Sequence, residues 1–394
     1  MFMLPLPRQA LRLALAALSL GFVPAVHSAP APDYARYTTT QLLPYENARS
    51  NVPPFTEALK FQFSVDGKPY LVTMDTGTTG IMLSARSLPN YSPEGAARYP
   101  QGWEFLSSSK ILWVGHWVPK EVTFTGAGGV PVTAQVPVLA IEQEVVCPDY
   151  KKDDKATCPG KPLGTASDKI AYMGVGFGRE HDGQPQGTPD KNPFLNITKI
   201  NGKPVTRDTM RDGYLITPEG VHVGLTAANT SGFVFTQLGG TKYSKDPRDW
   251  PEASICVAVG ASPCVPGAVL VDTGIPQMYL TVTSQVNVQT KLAPDLSVKG
   301  KKVPVLVDGS QVTVRFPDNE APVASYTFTV GDTAQANPLA PAQVITTANG
   351  KTVFVNTGRH FLRGFNVLFD AEGGLFGLKK TGSANSSGGE TPKR

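Results

Sequence analysis

Two aspartates carry the chemistry this sequence can do. Met74-Asp75-Thr76-Gly77-Thr78-Thr79 and Val271-Asp272-Thr273-Gly274 each contain an Asp-Thr-Gly triplet, and the two aspartates stand 197 residues apart. In each triplet the glycine lets the chain turn sharply after the aspartate. The threonine hydroxyl can bond across to a partner loop, so the carboxylate sits on rigid backbone at a strand end. Two such loops face to face bring two carboxyls to about 3 Å, where they cannot both ionise and must share a proton. The ionised member can then take a proton from water while the other gives one to a scissile carbonyl. Such titrations belong to the pair and not to either residue. One triplet alone reads as a turn; two copies, after Val72-Thr73-Met74 and Val269-Leu270-Val271, read as a matched pair.

Other chemistries find no motif. There is no Gly-x-Ser-x-Gly, no His-Glu-x-x-His and no phosphate-binding loop. The histidines (His27, His116, His181, His222, His360) are scattered, and His116 reads as an exposed loop residue. The acidic residues of Glu180–Asn192 fit no calcium-loop spacing, so that segment reads as a solvated loop.

The elements that must hold the aspartates are strands. Lys60–Val65 alternates with period two, Asp66-Gly67 reads as a hairpin turn, and Pro69–Met74 reads as the return strand. Similar runs are Glu121–Phe124, Val130–Ile141, Val221–Leu225, Val269–Val271, Met278–Val282, Val303–Val307, Gln311–Phe316, Tyr326–Val330 and Thr352–Val355. Helical periodicity is confined to Thr78–Leu88 and His360–Phe365. The strand, triplet and second apolar stretch of Val72–Leu83 recur at Val269–Leu280, which implies two equivalent halves. With 39 glycines and 35 prolines to supply turns, the chain reads as mostly β.

The N-terminus reads as an export signal. Arg8 and Arg12 precede an apolar run from Leu13 to about Val26, and Val26-His27-Ser28 places cleavage after Ser28. The run is short for a membrane span, and no other long apolar stretch follows, so the mature chain is expected to lack a span. The mature chain would carry 34 basic against 32 acidic side chains, which is no field for nucleic acid. Export implies an oxidising compartment. Of three possible pairings of four cysteines, the local ones are Cys147–Cys158 and Cys256–Cys264, and each would pin a surface loop. No histidine stands near either pair, which argues against a metal site. Asn196 and Asn229 head glycosylation triplets and are expected bare in a bacterial protein.

Taken in order, these motifs resemble the pepsin-like aspartic peptidases, and their bacterial homologues in particular, over roughly residues 55–380. Besides the two triplets, Tyr172-Met173-Gly174-Val175-Gly176-Phe177 resembles the segment that supports the first loop. Thr357-Gly358, Phe365–Asp370 and Phe376-Gly377-Leu378 resemble the end of the second lobe. Cys256–Cys264 lies just upstream of the second loop, where family members often carry a small disulfide. The resemblance implies a mostly β, two-lobed pepsin-like fold with the active site in the cleft between lobes. Its parts would be a signal peptide (1–28), an extended lead-in contributing at most one strand (29–54), a first lobe (55–213), a second lobe (214–380) and a disordered tail (381–394). It implies a monomeric, exported endopeptidase, periplasmic or secreted. Peptide or unfolded protein would bind as an added strand, and no cofactor is needed. Asp75 and Asp272 would do the acid–base work, Thr76 and Thr273 would lock the loops between Gly77 and Gly274, and Thr78 would donate to Asp75.

Two departures from the family pattern stand out. Ile275-Pro276 follows Gly274 where a hydroxyl residue usually stands. Losing that donor is expected to raise the acid limb of the pair. The hairpin that closes the cleft, expected near Ser107–Val122, has no tyrosine, and Trp113 or Trp117 is the candidate replacement. These departures favour a rival reading, a pepsin-fold protein that binds without cutting. Retention of both triplets opposes it.

Overall fold

The computed structural model describes residues 32–48, 55–179, 186–239, 245–296, 298 and 300–382. The signal segment, nearly all of the tail and residues 180–185 of the 180–192 loop lie outside the described residues.

Three sheets make the architecture. A ten-stranded sheet carries the first triplet and a nine-stranded sheet carries the second. A six-stranded sheet draws its strands from the lead-in (Gln41–Pro44), the middle of the chain (Arg211–Ile216, Gly220–Leu225, Val234–Gln237) and its end (Phe365–Asp370, Leu375–Lys380). This is the mostly β, two-lobed arrangement expected. The lead-in does contribute one strand, on the edge of the shared sheet and paired with Gly220–Leu225. The boundary at residues 213 and 214 falls inside Arg211–Ile216, a strand of that sheet.

Local sequence accounts for the strands beside the aspartates. Lys60–Val65 buries alternate residues, Phe61, Phe63 and Val65, exposes Lys60 and Gln62 and leaves Ser64 half-buried. Asp66 and Gly67 both take positive φ, 50° and 78°, as a two-residue hairpin turn demands. The return strand Lys68–Asp75 then delivers Asp75 at its end. Thr79–Ser84, expected to be helical as part of Thr78–Leu88, is instead a strand. All six residues are buried, between a parallel neighbour (Pro131–Val146) and an antiparallel one (Ala171–Val175). A strand covered on both faces has no polar side to show and so no alternation to read. Helix is left only as a short 3₁₀ turn at Ala85–Ser87, and His360–Phe365 gives a 3₁₀ turn at Arg359–Arg363.

The two lobes repeat in register. In the first, Lys68–Asp75 runs parallel to Ala171–Val175 with Thr73 opposite Tyr172; in the second, Val265–Leu270 runs parallel to Val353–Asn356 with Leu270 opposite Asn356. Each partner lies opposite the residue two before an aspartate. Across the other edge, Tyr172 faces Met82 and Asn356 faces Tyr279, each seven residues after an aspartate. Tyr172 and Asn356 are therefore equivalent positions of the two halves.

The core is continuous through the lobes. Phe61, Phe124 and Phe194 pack in the first, and Phe316, Phe328 and Phe361 in the second. Tyr214 and Phe369 of the shared sheet stand between, their ring centres 5.1 Å apart. Both disulfides have the expected local pairing, Cys147–Cys158 and Cys256–Cys264.

Candidate active site

The two triplet loops interlock. The Thr76 backbone N–H donates to Thr273 Oγ1 at 3.0 Å, and the Thr273 N–H donates to Thr76 Oγ1 at 3.0 Å. Each hydroxyl donates onward into the opposite lobe, Thr76 to the Val271 carbonyl (2.5 Å) and Thr273 to the Met74 carbonyl (3.1 Å). Four bonds thus close a symmetric buried lock, with Thr76 1% and Thr273 0% exposed. A valine at either position would leave two buried groups unpaired.

The lock aims the carboxyls at each other. Gly77 N–H donates to Asp75 Oδ1 at 2.6 Å, and Gly274 N–H donates to Asp272 Oδ1 at 2.7 Å. The outer oxygens also have donors: the Tyr172 hydroxyl to Asp75 Oδ2 at 2.5 Å, and Asn356 Nδ2 to Asp272 Oδ2 at 2.6 Å. The Asn356 amide is oriented in turn by Gly358 N–H on its Oδ1. Burial first, and then the charge of Asp75, pushes the Asp272 carboxyl well above the usual range. Each carboxyl has two donors, and it is burial that makes Asp272 the natural holder of the shared proton.

The glycines are required by space. A Cβ on Gly274 would stand 2.6 Å from the Asp75 carboxyl carbon, and one on Gly77 would stand 2.8 Å from Asp272 Oδ2. Gly274→Ala is expected to drive the carboxyls apart and lower kcat by at least about 10²-fold, since acid–base catalysis depends on their geometry. Near-normal turnover of a folded Gly274→Ala protein would contradict the packing argument.

Three sequence expectations are placed differently by the structure. Thr78 was to donate to Asp75, but its buried hydroxyl makes no hydrogen bond, and Tyr172 is the donor. The donor missing at Ile275 is supplied to Asp272 from another strand by Asn356, which removes the reason to expect a raised acid limb. The cleft hairpin starts earlier than Ser107: Gln101–Leu106 pairs with the first part of Ile111–Thr125. Its first strand and turn, from Trp103 to Ser108, line the cleft. Trp113 and Trp117 lie on the second strand, buried in a cluster with Met82, Leu139 and Ile141. Their indole N–H groups donate to Glu144 and Gln186. Trp117 also fills the space over Gly80 and Gly102, where an added Cβ would meet its ring at 2.7 and 2.5 Å. Both tryptophans are packing residues. His116 is half-buried, its ring nitrogen 3.3 Å from Glu142.

Between the lobes lies a cavity of about 550 Å³, lined by Asp75, Tyr172, Asp272, Asn356, Glu104 and Arg179 among others. Glu104 is only 5% exposed. Burial pushes its carboxyl up to about 8, against a pull down from Arg179 and a further push from Asp75. The folded protein thus holds a proton there that the unfolded chain has already lost. Stability is greatest below the ordinary carboxyl range and is lost as pH rises towards 8. Glu104→Gln is expected to flatten that decline and to melt above the parent at about pH 8. Parallel melting curves for the two proteins between about pH 5 and pH 8 would contradict it.

Fold and site together define a class: a two-lobed, mostly β protein whose Asp-Thr-Gly loops meet in the cleft between the lobes. No protein-family model matches the chain, and no curated protein matches its sequence. Among solved structures the chain is similar to the aspartic proteinase from Irpex lacteus, at 12% identity and a TM-score of 0.48, over 87% of this chain and 98% of that one.

Proposed function

We propose that the chain is an aspartic endopeptidase. The observation that carries this reading is the pair of buried carboxyls, each fixed by a backbone N–H and an outer donor, and held face to face by the reciprocal Thr76–Thr273 lock. A binding protein has no need of so costly an arrangement. In this reading a water between the carboxyls gives a proton to Asp75 and attacks the peptide carbonyl, and Asp272 protonates the carbonyl oxygen. Asp75 then passes its proton to the leaving nitrogen as the C–N bond breaks, a hydroxyl of the tetrahedral intermediate returns a proton to Asp272, and the pair is again singly protonated. An extended substrate lies along the cleft beneath the hairpin Gln101–Thr125. No cofactor enters.

Export fits the same reading. Two disulfides suit an oxidising compartment, and among the described residues no helix is long and apolar enough to cross a membrane. We place the working protein, a monomer beginning after Ser28, in a bacterial periplasm or outside the cell.

The rival, a pepsin-fold binder without chemistry, keeps one observation in its favour: neither Thr78 nor Ile275 gives a hydroxyl to the dyad. The test is incubation of a denatured protein with the chain from Ala29 onward, with and without the transition-state analogue pepstatin. Fragments that pepstatin suppresses support the peptidase. Intact substrate at every acidic and neutral pH, with the protein folded, supports the binder.

A further inference from the structure

Glu104 is a buried carboxyl that the proposed chemistry does not use. It stands on the cleft side of the hairpin strand Gln101–Leu106, and its Oε1 has no hydrogen-bond partner. Three neighbouring donors are committed elsewhere. The Tyr172 hydroxyl serves Asp75, the indole of Trp113, directly across the ladder, serves Glu144, and the Tyr150 hydroxyl serves the Lys155 carbonyl. Arg179 acts on Glu104 through its charge without bonding Oε1. An orphaned carboxyl oxygen in so dry a place is costly, and it faces a cavity large enough for a long side chain. The walls beside it are aromatic: Trp103, Phe105, Tyr150 and Tyr172. Aromatic faces accept the alkyl stem of a lysine or arginine and attract its charged end.

From this the geometry points to a basic subsite: Glu104 receives the ammonium or guanidinium of a lysine or arginine next to the bond to be cut. This rests on the reading of the cleft as a peptide site. A cation supplies the missing hydrogen bond and, unlike a neutral donor, favours the ionised carboxyl, so its binding displaces the proton that Glu104 holds. An acidic side chain brings a negative charge beside the dyad and offers no cation to Glu104.

Binding tests the inference without requiring turnover. Peptides carrying a reduced, uncleavable bond are made with lysine, norleucine or glutamate at each residue flanking that bond, and their affinities are measured calorimetrically. For the parent protein the lysine peptide is expected to bind about tenfold or more tightly than the norleucine peptide at one of the two positions. In Glu104→Gln that ratio is expected to fall towards one, and in Glu104→Asp to be partly kept, with melting curves establishing that both variants are folded. A lysine preference unchanged by Glu104→Gln, no lysine preference in the parent, or preference for the glutamate peptide, which would point to Arg179, overturns the proposal. The same sequences with ordinary amide bonds separate this inference from the peptidase reading. Selective binding without cleavage sinks the peptidase and leaves the subsite standing, whereas cleavage without selectivity does the reverse.

Discussion

Asparagine at position 75 is expected to lower turnover by about 10⁴-fold while leaving the protein folded, because an amide can neither take nor share the proton on which the chemistry depends. The fold should tolerate it. Gly77 N–H can still donate to the amide oxygen, and the Tyr172 hydroxyl can turn to accept from the new N–H. The change also removes the buried charge of the pair, so Asp75→Asn should melt no lower than the parent near neutral pH. Asp272→Asn should be equally inactive but less well accommodated. Its amide N–H would face Asn356 Nδ2, and turning that amide would give up the bond from Gly358. Turnover and melting of both variants check the pair. Residual activity within about tenfold of the parent in either would remove that carboxyl from the chemistry.

The second large effect concerns the outer donors. Tyr172→Phe deletes a hydrogen bond to the carboxylate of Asp75, a type of bond that contributes about 1.5–3 kcal/mol. A donor to the anion lowers its pKa, so deletion raises it. The acid limb of the rate profile should therefore move up by about one to two pH units, with kcat falling and KM changing little. Asn356→Leu does the same at Asp272, where the lost donor makes the proton harder to remove, so the neutral limb should move up in pH. Opposite limbs moving for equivalent residues is an outcome that loss of packing alone would not give. If both variants lower the rate uniformly across pH, the donors are structural and the division of labour between the carboxyls is wrong.

Much of the scaffold was legible because it follows local rules. Lys60–Val65 alternates, Asp66-Gly67 satisfies a two-residue turn, and the Val-x-Met and Val-x-Val runs end in triplets that could only be turns. Thr79–Ser84 was misread because its pattern is set by neighbours on both faces, which no local window contains. The hairpin was placed late because counting from Asp75 crosses residues 85–100, where turns and short helices set no fixed distance. The true hairpin brings Trp103 and Glu104, and not Trp113 and Trp117, to the cleft. The outer donors were hidden for another reason. Tyr172 lies 97 residues from Asp75 and Asn356 lies 84 from Asp272, and only the parallel pairing of strands brings them close. A faint signal existed. Tyr172 precedes Met173-Gly174 and Asn356 precedes Thr357-Gly358, so the two polar residues head matching apolar-or-small steps in the repeated halves.

Catalysis by the pair needs one carboxyl ionised while its partner is protonated, and the pH dependence of kcat/KM for the unaltered protein on a single peptide tests this most directly. The predicted profile is a bell whose upper limb falls through about pH 8, as Asp272 loses the shared proton. A rate that climbs with pH and persists beyond about pH 9 would contradict the account, because the shared proton would then be gone and some other group would be acting on the substrate.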